Sequence, residues 1–322
     1  MRIRVLCMCR EVSHNAKRHN YSVAEFVYEQ NQHLAKLNVE IDFFLVKGGG
    51  LFGYLNEIKK LKIYLSSVGY KYDVIHAHGG HIGAIANFQR RIPVVTTYHG
   101  SDINYFSNRL ISISSLLISN QNIFVSKNLF NKVRWSPKTN IVPCGVDLEL
   151  FVPLEKVTCR QELGLNLEDK IVLFAGNREI KIKNFELAES AVKLTGKNIR
   201  LIELKDFNRN KINLLLNAAD LLLLTSISEG SPQIIKEAMA CNCPIVATDV
   251  GDIKEIISGI EGCYISGFND EEVARNINLA LQFNLRTAGR DAIKSLDNRY
   301  IAKQVFEIYT RILNIKSGKS SL

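Results

Sequence analysis

Several things are missing from this 322-residue chain, and each absence excludes a class of protein. No stretch approaches the roughly 20 consecutive apolar residues that a membrane-crossing helix requires. The opening MRIRVLCMCR has too short an apolar run for a secretory signal, so a cytoplasmic location is expected. The seven cysteines are an odd number, lie in or beside apolar segments and never form a C-x-x-C, which leaves a zinc or disulfide framework without support. Cys241 and Cys243, one residue apart, are expected to be small buried or loop residues in a reducing compartment. There is no solenoid period, and no low-complexity tract apart from the polar tail KSGKSSL. No aromatic-interleaved basic motif or recognition helix is present, so nucleic acid is not an expected partner.

What is present fits an ordinary soluble protein, 46% hydrophobic and 23% charged, but 322 residues exceed what a single core usually serves. Two domains are expected. The charge divides unevenly between them: residues 1–150 carry 18 Lys and Arg against 10 Asp and Glu, a net of +8, whereas the rest nets +1. The basic half suits an anionic lipid surface or a lipid-linked diphosphate.

Apolar, β-branched runs recur at Ile3–Cys9, Ile41–Val46, Asp73–Ala77, Val94–Tyr98, Ile123–Val125 and Asn140–Val142, with helical or loop stretches between. This rhythm predicts a doubly wound parallel sheet. A second set, Lys170–Ala175, Arg200–Glu203, Leu221–Thr225, Pro244–Thr248 and Gly262–Ile265, predicts another, with a linker near Val152–Gly164.

The most informative segment is SISEGSPQIIKEAMACNCPIVATDVGDIKE, Ser226 to Glu255. Between two predicted strands it sets Glu229 and Glu237 on either side of a helix start, at the carboxyl end of a parallel sheet, where open α/β folds bind ligands. Ser231 is expected to cap the helix and Pro232 to sit in its first turn, so that the N–H groups of Ser231, Gln233 and Ile234 face an anion, phosphate being the expected occupant. On a helical wheel Ile234, Ile235, Ala238 and Met239 form the inward face, which puts Gln233, Lys236 and Glu237 on the outward, ligand-facing side. Taken as a bare pair, the two glutamates could equally be a solvated loop residue and a solvated helix face.

Glu229 and Glu237, with seven residues between them and EAMAC, Pro244 and VATDVG following, resemble the Glu-x7-Glu signature of family 4 retaining glycosyltransferases of the GT-B fold. Other pieces agree in order: His99-Gly100-Ser101-Asp102 after a strand, Val125-Ser126-Lys127 after another, VPCGVD before Phe151, Gly176-Asn177-Arg178 before Lys183-Asn184, and a closing helix from Ile301 to Ile315. The resemblance spans nearly the whole chain. It implies two Rossmann-like domains facing a central cleft: residues 1–152 with the carboxy-terminal helix 301–322 for the acceptor, and 153–300 for a nucleoside diphosphate sugar, with no cofactor and no metal. No Asp-x-Asp occurs in the chain, which argues against a metal-dependent transferase of the other major fold. The expected acceptor is a glycan or lipid-linked molecule, in polysaccharide or lipopolysaccharide assembly.

By the same resemblance Arg178 and Lys183 hold the two phosphates, Glu237 the ribose hydroxyls and Glu229 the transferred sugar, while His99 lies near the sugar and β-phosphate. The loop NREIKIKN departs from the usual Gly-Arg-x-x-x-x-Lys pattern because Asn177 intervenes, leaving Lys181 as a substitute for Arg178; read alone, it is also simply a polar loop. Asp102 either contacts the acceptor or caps the following helix. His76, His78 and His81 offer a metal reading but no carboxylate or cysteine at ligand spacing, and resemble a strand and turn lining the acceptor cleft. After the first strand, where many relatives have a glycine pair, this chain has EVSHNAKRHNYSVAEF, in which Lys17 and Arg18 could supply charge instead. Residues 51–65 join Leu51, Phe52, Tyr54, Leu55, Ile58 and Leu61 to Lys59, Lys60 and Lys62, either a bilayer-docking surface or a core-packing helix. A nucleotide-sugar 2-epimerase and a non-catalytic sugar-nucleotide-binding module are the alternatives to a transferase.

Overall fold

A computed structural model describes residues 2–12, 23–133, 136–196 and 198–316. Lys17, Arg18, the Leu51 side chain and the KSGKSSL tail beyond Lys316 lie outside the described residues. The chain divides into two compact units, Met1–Cys144 with Asn298–Leu322, and Gly145–Asp297. The expected boundaries stood at 152 and 300; Val146, Leu148 and Phe151 lie in a core cluster of the second unit.

The first unit holds a six-stranded parallel sheet in the order β2-β1-β3-β4-β5-β6, made of Ile3–Arg10, Val39–Val46, Val74–His78, Val94–Tyr98, Gln121–Phe124 and Thr139–Ile141 numbered in chain order. Helices cover both faces, which is why β3 and β4 are buried along their whole length, including the polar His76, His78, Thr96 and Thr97. On one face Leu61 and Leu65 of the Gly50–Ser67 helix and Ile82 and Ile85 of the Gly80–Ala86 helix pack against Leu6, Met8, Ile75 and Val94. On the other, the closing helix Asn298–Lys316 lays Ile301, Val305, Ile308 and Ile312 on Ile3, Val5, Val95 and Ile123. That spacing is the inward stripe of an amphipathic helix.

The second unit repeats the plan with five parallel strands, β7 Lys170–Phe174, β8 Ile199–Glu203, β9 Leu221–Leu224, β10 Ile245–Thr248 and β11 Cys263–Ser266, in the order β11-β10-β9-β7-β8. Alternate residues of each strand point to opposite faces. Leu173, Leu222 and Ala247 thus belong to one core cluster, and Phe174, Leu223 and Val246 to the other. The strand order reverses between β7 and β9, so the loops leaving those two strands flank the crevice where such sheets take ligands.

The seven cysteines are free thiols, five of them buried. Among the described residues no helix is long and apolar enough to cross a membrane, and no cluster of three or more His, Cys, Asp or Glu is arranged to hold a metal ion.

Candidate active site

Lys183 and Glu229 come together at the β7/β9 switch point of the second unit. Lys183 ends a single 3-10 turn, Lys181–Lys183, in the loop after β7, and Glu229 lies in the loop after β9. Their side chains meet with Nζ 2.6 Å from Oε1, both partly buried. The two loops are stitched along their length: Thr225 Oγ1 donates to the carbonyls of Lys183 and Asn184 at 3.0 and 2.9 Å, and Ile227 N–H to the carbonyl of Ile182 at 2.9 Å. Gly176 is required by the Lys183 stem, since a Cβ there would stand 2.9 Å from Lys183 Cγ.

The helix after Glu229 runs Gln233–Ala240 with Pro232 at its N-cap and no side-chain cap. This corrects the expectation for Ser231. Its hydroxyl donates to Asp252 Oδ2 at 2.5 Å and accepts from Lys236 Nζ at 2.5 Å, because a fully buried ammonium must be met by a partner and an anion. Lys236 therefore does not face solvent or ligand, as the helical wheel had placed it. The Asp252 carboxyl is raised above its ordinary range by burial, opposed by the Lys236 charge and the Ser231 hydrogen bond. The loop is pinned again at Gly251, whose φ of +65° and hypothetical Cβ, 2.7 Å from the Gly230 carbonyl oxygen, admit no side chain. With no side-chain acceptor at Pro232, the first N–H groups of the helix keep the orientation that favours an anion. Gln233 donates from Nε2 to the Gly145 carbonyl at 2.8 Å, and its buried Oε1 has no hydrogen-bond partner among the described residues.

Glu237 is also buried, the second departure from the wheel, and its carboxylate is gripped by Nη1 of Arg209. Arg209 opens the helix after β8, Arg209–Ala218, and its guanidinium lies over the Phe151 ring at 4.6 Å. Sequence reasoning missed Arg209, since nothing in FNRNKI marks it; only the adjacency of β8, β7 and β9 carries it to the Glu237 helix. Arg178 is placed elsewhere. Its backbone N–H and Nε donate to the two carboxylate oxygens of Glu203 at 2.7 and 2.9 Å, its guanidinium lies over Phe185, and the side chain is 56% exposed.

In the first unit His99 follows β4 and is partly buried, with Nε2 3.1 Å from His78 Nδ1, Nδ1 3.8 Å from Cys144 Sγ, and the Phe26 ring alongside. Burial holds His99 down to about 4. His78 is lowered by burial and then by the neighbouring imidazoles, and His76, lowered to about 3 by burial and then by His99, is fixed by Tyr309 Oη at 2.6 Å and Thr97 Oγ1 at 2.7 Å. All three are neutral imidazoles near pH 7. Asp102 is buried and accepts from the N–H groups of Gly80, Gly100 and His99 at 3.1, 2.9 and 3.3 Å, tying the loops after β3 and β4 together. His81, half-buried, stands beside Tyr54.

One glycine pattern escaped the sequence reading: Gly48-Gly49-Gly50-Leu51-Phe52-Gly53, after β2, has the G-x-G-x-x-G spacing of a dinucleotide loop. It follows an edge strand and not a switch point, and Gly48 and Gly53 pack on each other, a Cβ on Gly48 falling 2.8 Å from the Gly53 carbonyl oxygen. The glycines there serve a tight turn.

With this geometry in place, comparison with known proteins is direct. The family model Glycosyltransferase Family 4 matches residues 11–150, and Glycosyl transferases group 1 matches 161–282. TuaC of Bacillus subtilis, a glycosyltransferase named for teichuronic acid biosynthesis, is 27% identical over 218 residues, 57% of this chain and 55% of that protein. The D-inositol 3-phosphate glycosyltransferase of Mycobacterium marinum is 25% identical over 268 residues, 68% of this chain and 57% of the relative. The chain thus spans little more than half the length of these relatives. Among solved structures, sucrose-phosphate synthase from Thermosynechococcus elongatus superposes with a TM-score of 0.80 at 17% identity, covering 98% of this chain and all of the other. HepE of Anabaena, in complex with UDP and glucose, superposes with a TM-score of 0.71 at 18% identity over 96% of this chain and 99% of its own.

Proposed function

Because the chain belongs to the glycosyltransferases of the GT-B fold, we propose that it transfers a sugar with retention from a nucleoside diphosphate sugar to a glycan or lipid-linked acceptor, in the manner of family 4. The observation that carries the reading is the Lys183–Glu229 pair at the β7/β9 switch point, next to the start of the Gln233–Ala240 helix. A departing diphosphate needs cations and N–H dipoles around it, and both are supplied there by rigid elements. A preorganised donor of this kind is typically worth about 3 kcal/mol in the transition state.

In this proposal the diphosphate lies at the helix start with Lys183 on its oxygens, and Glu229, released from part of that ion pair, turns to the sugar hydroxyls. Glu237, held from behind by Arg209, accepts from the ribose hydroxyls as a bidentate carboxylate. Both glutamates bind and orient. Neutral His99 serves as hydrogen-bond partner to the sugar or its phosphate, and Arg178 assists only by leaving Glu203. No cofactor or metal enters the reaction, and the donor's own phosphate takes the acceptor proton. We further place the enzyme in the cytoplasm at the face of a membrane, building surface polysaccharide. The HepE complex with UDP and glucose supports a nucleotide sugar as donor.

The test is a panel of UDP-, GDP- and ADP-sugars, scored for nucleoside diphosphate release with and without acceptor, and for the anomer of the product by NMR. Acceptor-dependent release with a retained anomer is expected. A new sugar nucleotide formed without acceptor would replace this reading with an epimerase, and no turnover despite binding would replace it with a binding module.

A further inference from the structure

The Phe106–Ile118 helix of the first unit is packed inside out. Its buried residues are Ser112, Ser115 and Leu116, while Phe106, Leu110, Ile113 and Leu117 are exposed, Phe106 to 71%. These four lie within about 60° of arc at 100° per residue, a continuous apolar stripe; Ile111 and Ile118, also exposed, lie together about 80–100° to one side of it. The cause is local. Ser115 Oγ lies 3.0 Å from Tyr98 Oη, and Ser112 Oγ donates to the Asp102 carbonyl at 2.9 Å. The Gly80–Ala86 helix approaches so closely that a Cβ on Gly80 would fall 2.0 Å from Ser112 Oγ. Small Ser112 and Ser115 take most of the inner face with Leu116 beside them, so the other large residues are left on the outer face.

The surroundings say what covers the stripe. Between Asp73 and Asp147 the sequence has seven Lys and Arg and a single carboxylate, Asp102, which is buried. At the carboxyl end of the helix Arg90, Arg91, Lys138 and Ile118 line a cavity of about 500 Å³ with no carboxylate on its walls. Exposed Phe88 and Ile141 lie near these cations in sequence. A second copy of the chain would set this basic rim against itself. We propose that this face docks on an anionic lipid bilayer: the stripe enters the acyl boundary, and the Arg90/Arg91/Lys138 cavity receives lipid phosphate. The Lys59/Lys60/Lys62 segment is then secondary. The inference rests on the placement at a membrane face proposed above and is independent of the donor chemistry.

Vesicle flotation tests it, using phosphatidylcholine alone and phosphatidylcholine with about one-third phosphatidylglycerol. Three variants are compared with the parent: Leu110→Gln with Leu117→Gln, Arg90→Glu with Lys138→Glu, and Lys59→Glu with Lys62→Glu, Lys60 being left in place because it pairs with buried Glu57. All substituted side chains are exposed, so thermal unfolding midpoints should match the parent and show that a loss of binding is not a loss of fold. Flotation of the parent on the anionic vesicles only, with at least a tenfold loss in the first two variants and a lesser loss in the third, is expected. The proposal is overturned by no flotation of the parent, by unchanged flotation of the Leu110/Leu117 variant, or by a dimer in sedimentation that this variant dissociates.

Discussion

Lys183 Nζ sits 2.6 Å from Glu229 Oε1, joining the loop after β7 to the loop after β9 across the point where the strand order of the second sheet reverses. The pair neutralises itself without ligand, so an incoming diphosphate gains Lys183 only by sharing it with Glu229. Lys183→Ala should weaken donor binding by about 1.5–3 kcal/mol, the loss of a charge-assisted hydrogen bond. Calorimetric titration with the preferred nucleoside diphosphate checks this, and a double-mutant cycle with Glu229→Ala should show coupling; additive losses would mean the two act separately.

The glycines around the pair predict two different outcomes. Gly251→Ala puts a side chain at φ +65° and 2.7 Å from the Gly230 carbonyl, so it should cost about 2 kcal/mol or more of stability, read by urea unfolding. Gly176→Ala meets only the flexible Lys183 stem. It should leave the unfolding midpoint almost unchanged while lowering donor affinity, and the reverse pattern would detach Gly176 from the placing of Lys183.

Arg209 and Glu237 form a buried ion pair, and removing one partner strands the other charge. Arg209→Met alone should destabilise by about 3 kcal/mol, and Glu237→Leu added to it should restore much of the loss. If Glu237 also holds the ribose, the double variant will be folded but will fail to bind the donor. Donor affinity equal to the parent's in that folded double variant would remove Glu237 from the site.

His99 and His76 are held at about 4 and about 3 by burial, with His78 lowered as well, against an unfolded value of roughly 6.5. In that interval the unfolded chain binds more protons than the folded one, so stability is full above about pH 6.5 and falls as the pH drops towards the folded values. Asp102 and Asp252, raised by burial, act in the opposite sense at the acid end, so the informative range is pH 7.5 to about 5.5. Unfolding free energy should decrease steadily across it. A flat profile would show that the imidazoles are protonated in the folded state without penalty.

The eleven strands among the described residues were legible in the sequence because each is a short, largely β-branched or apolar run between polar turns, and their positions agree with expectation to within two residues. The loop bearing Glu229 was legible for a related reason: a strand, a polar turn with Pro232 and an apolar helix face fix a βαβ unit locally. The partners of the charged residues were not. Ser231 with Asp252, and Glu237 with Arg209, are pairs 21 and 28 residues apart, which meet only because the sheet order brings separate loops to one edge.

Two helices show the same limit most plainly. Ile301, Val305, Ile308 and Ile312 repeat at the same spacing as Phe106, Leu110, Ile113 and Leu117, and the sequence pattern alone gives both the same inward stripe. The first is buried and the second exposed. Local sequence determined that each segment would be a helix with an apolar side, since periodicity is a property of neighbours along the chain. Which side faces the core was decided by Gly80, Tyr98 and Asp102 meeting Ser112 and Ser115, contacts that exist only once the first sheet has formed.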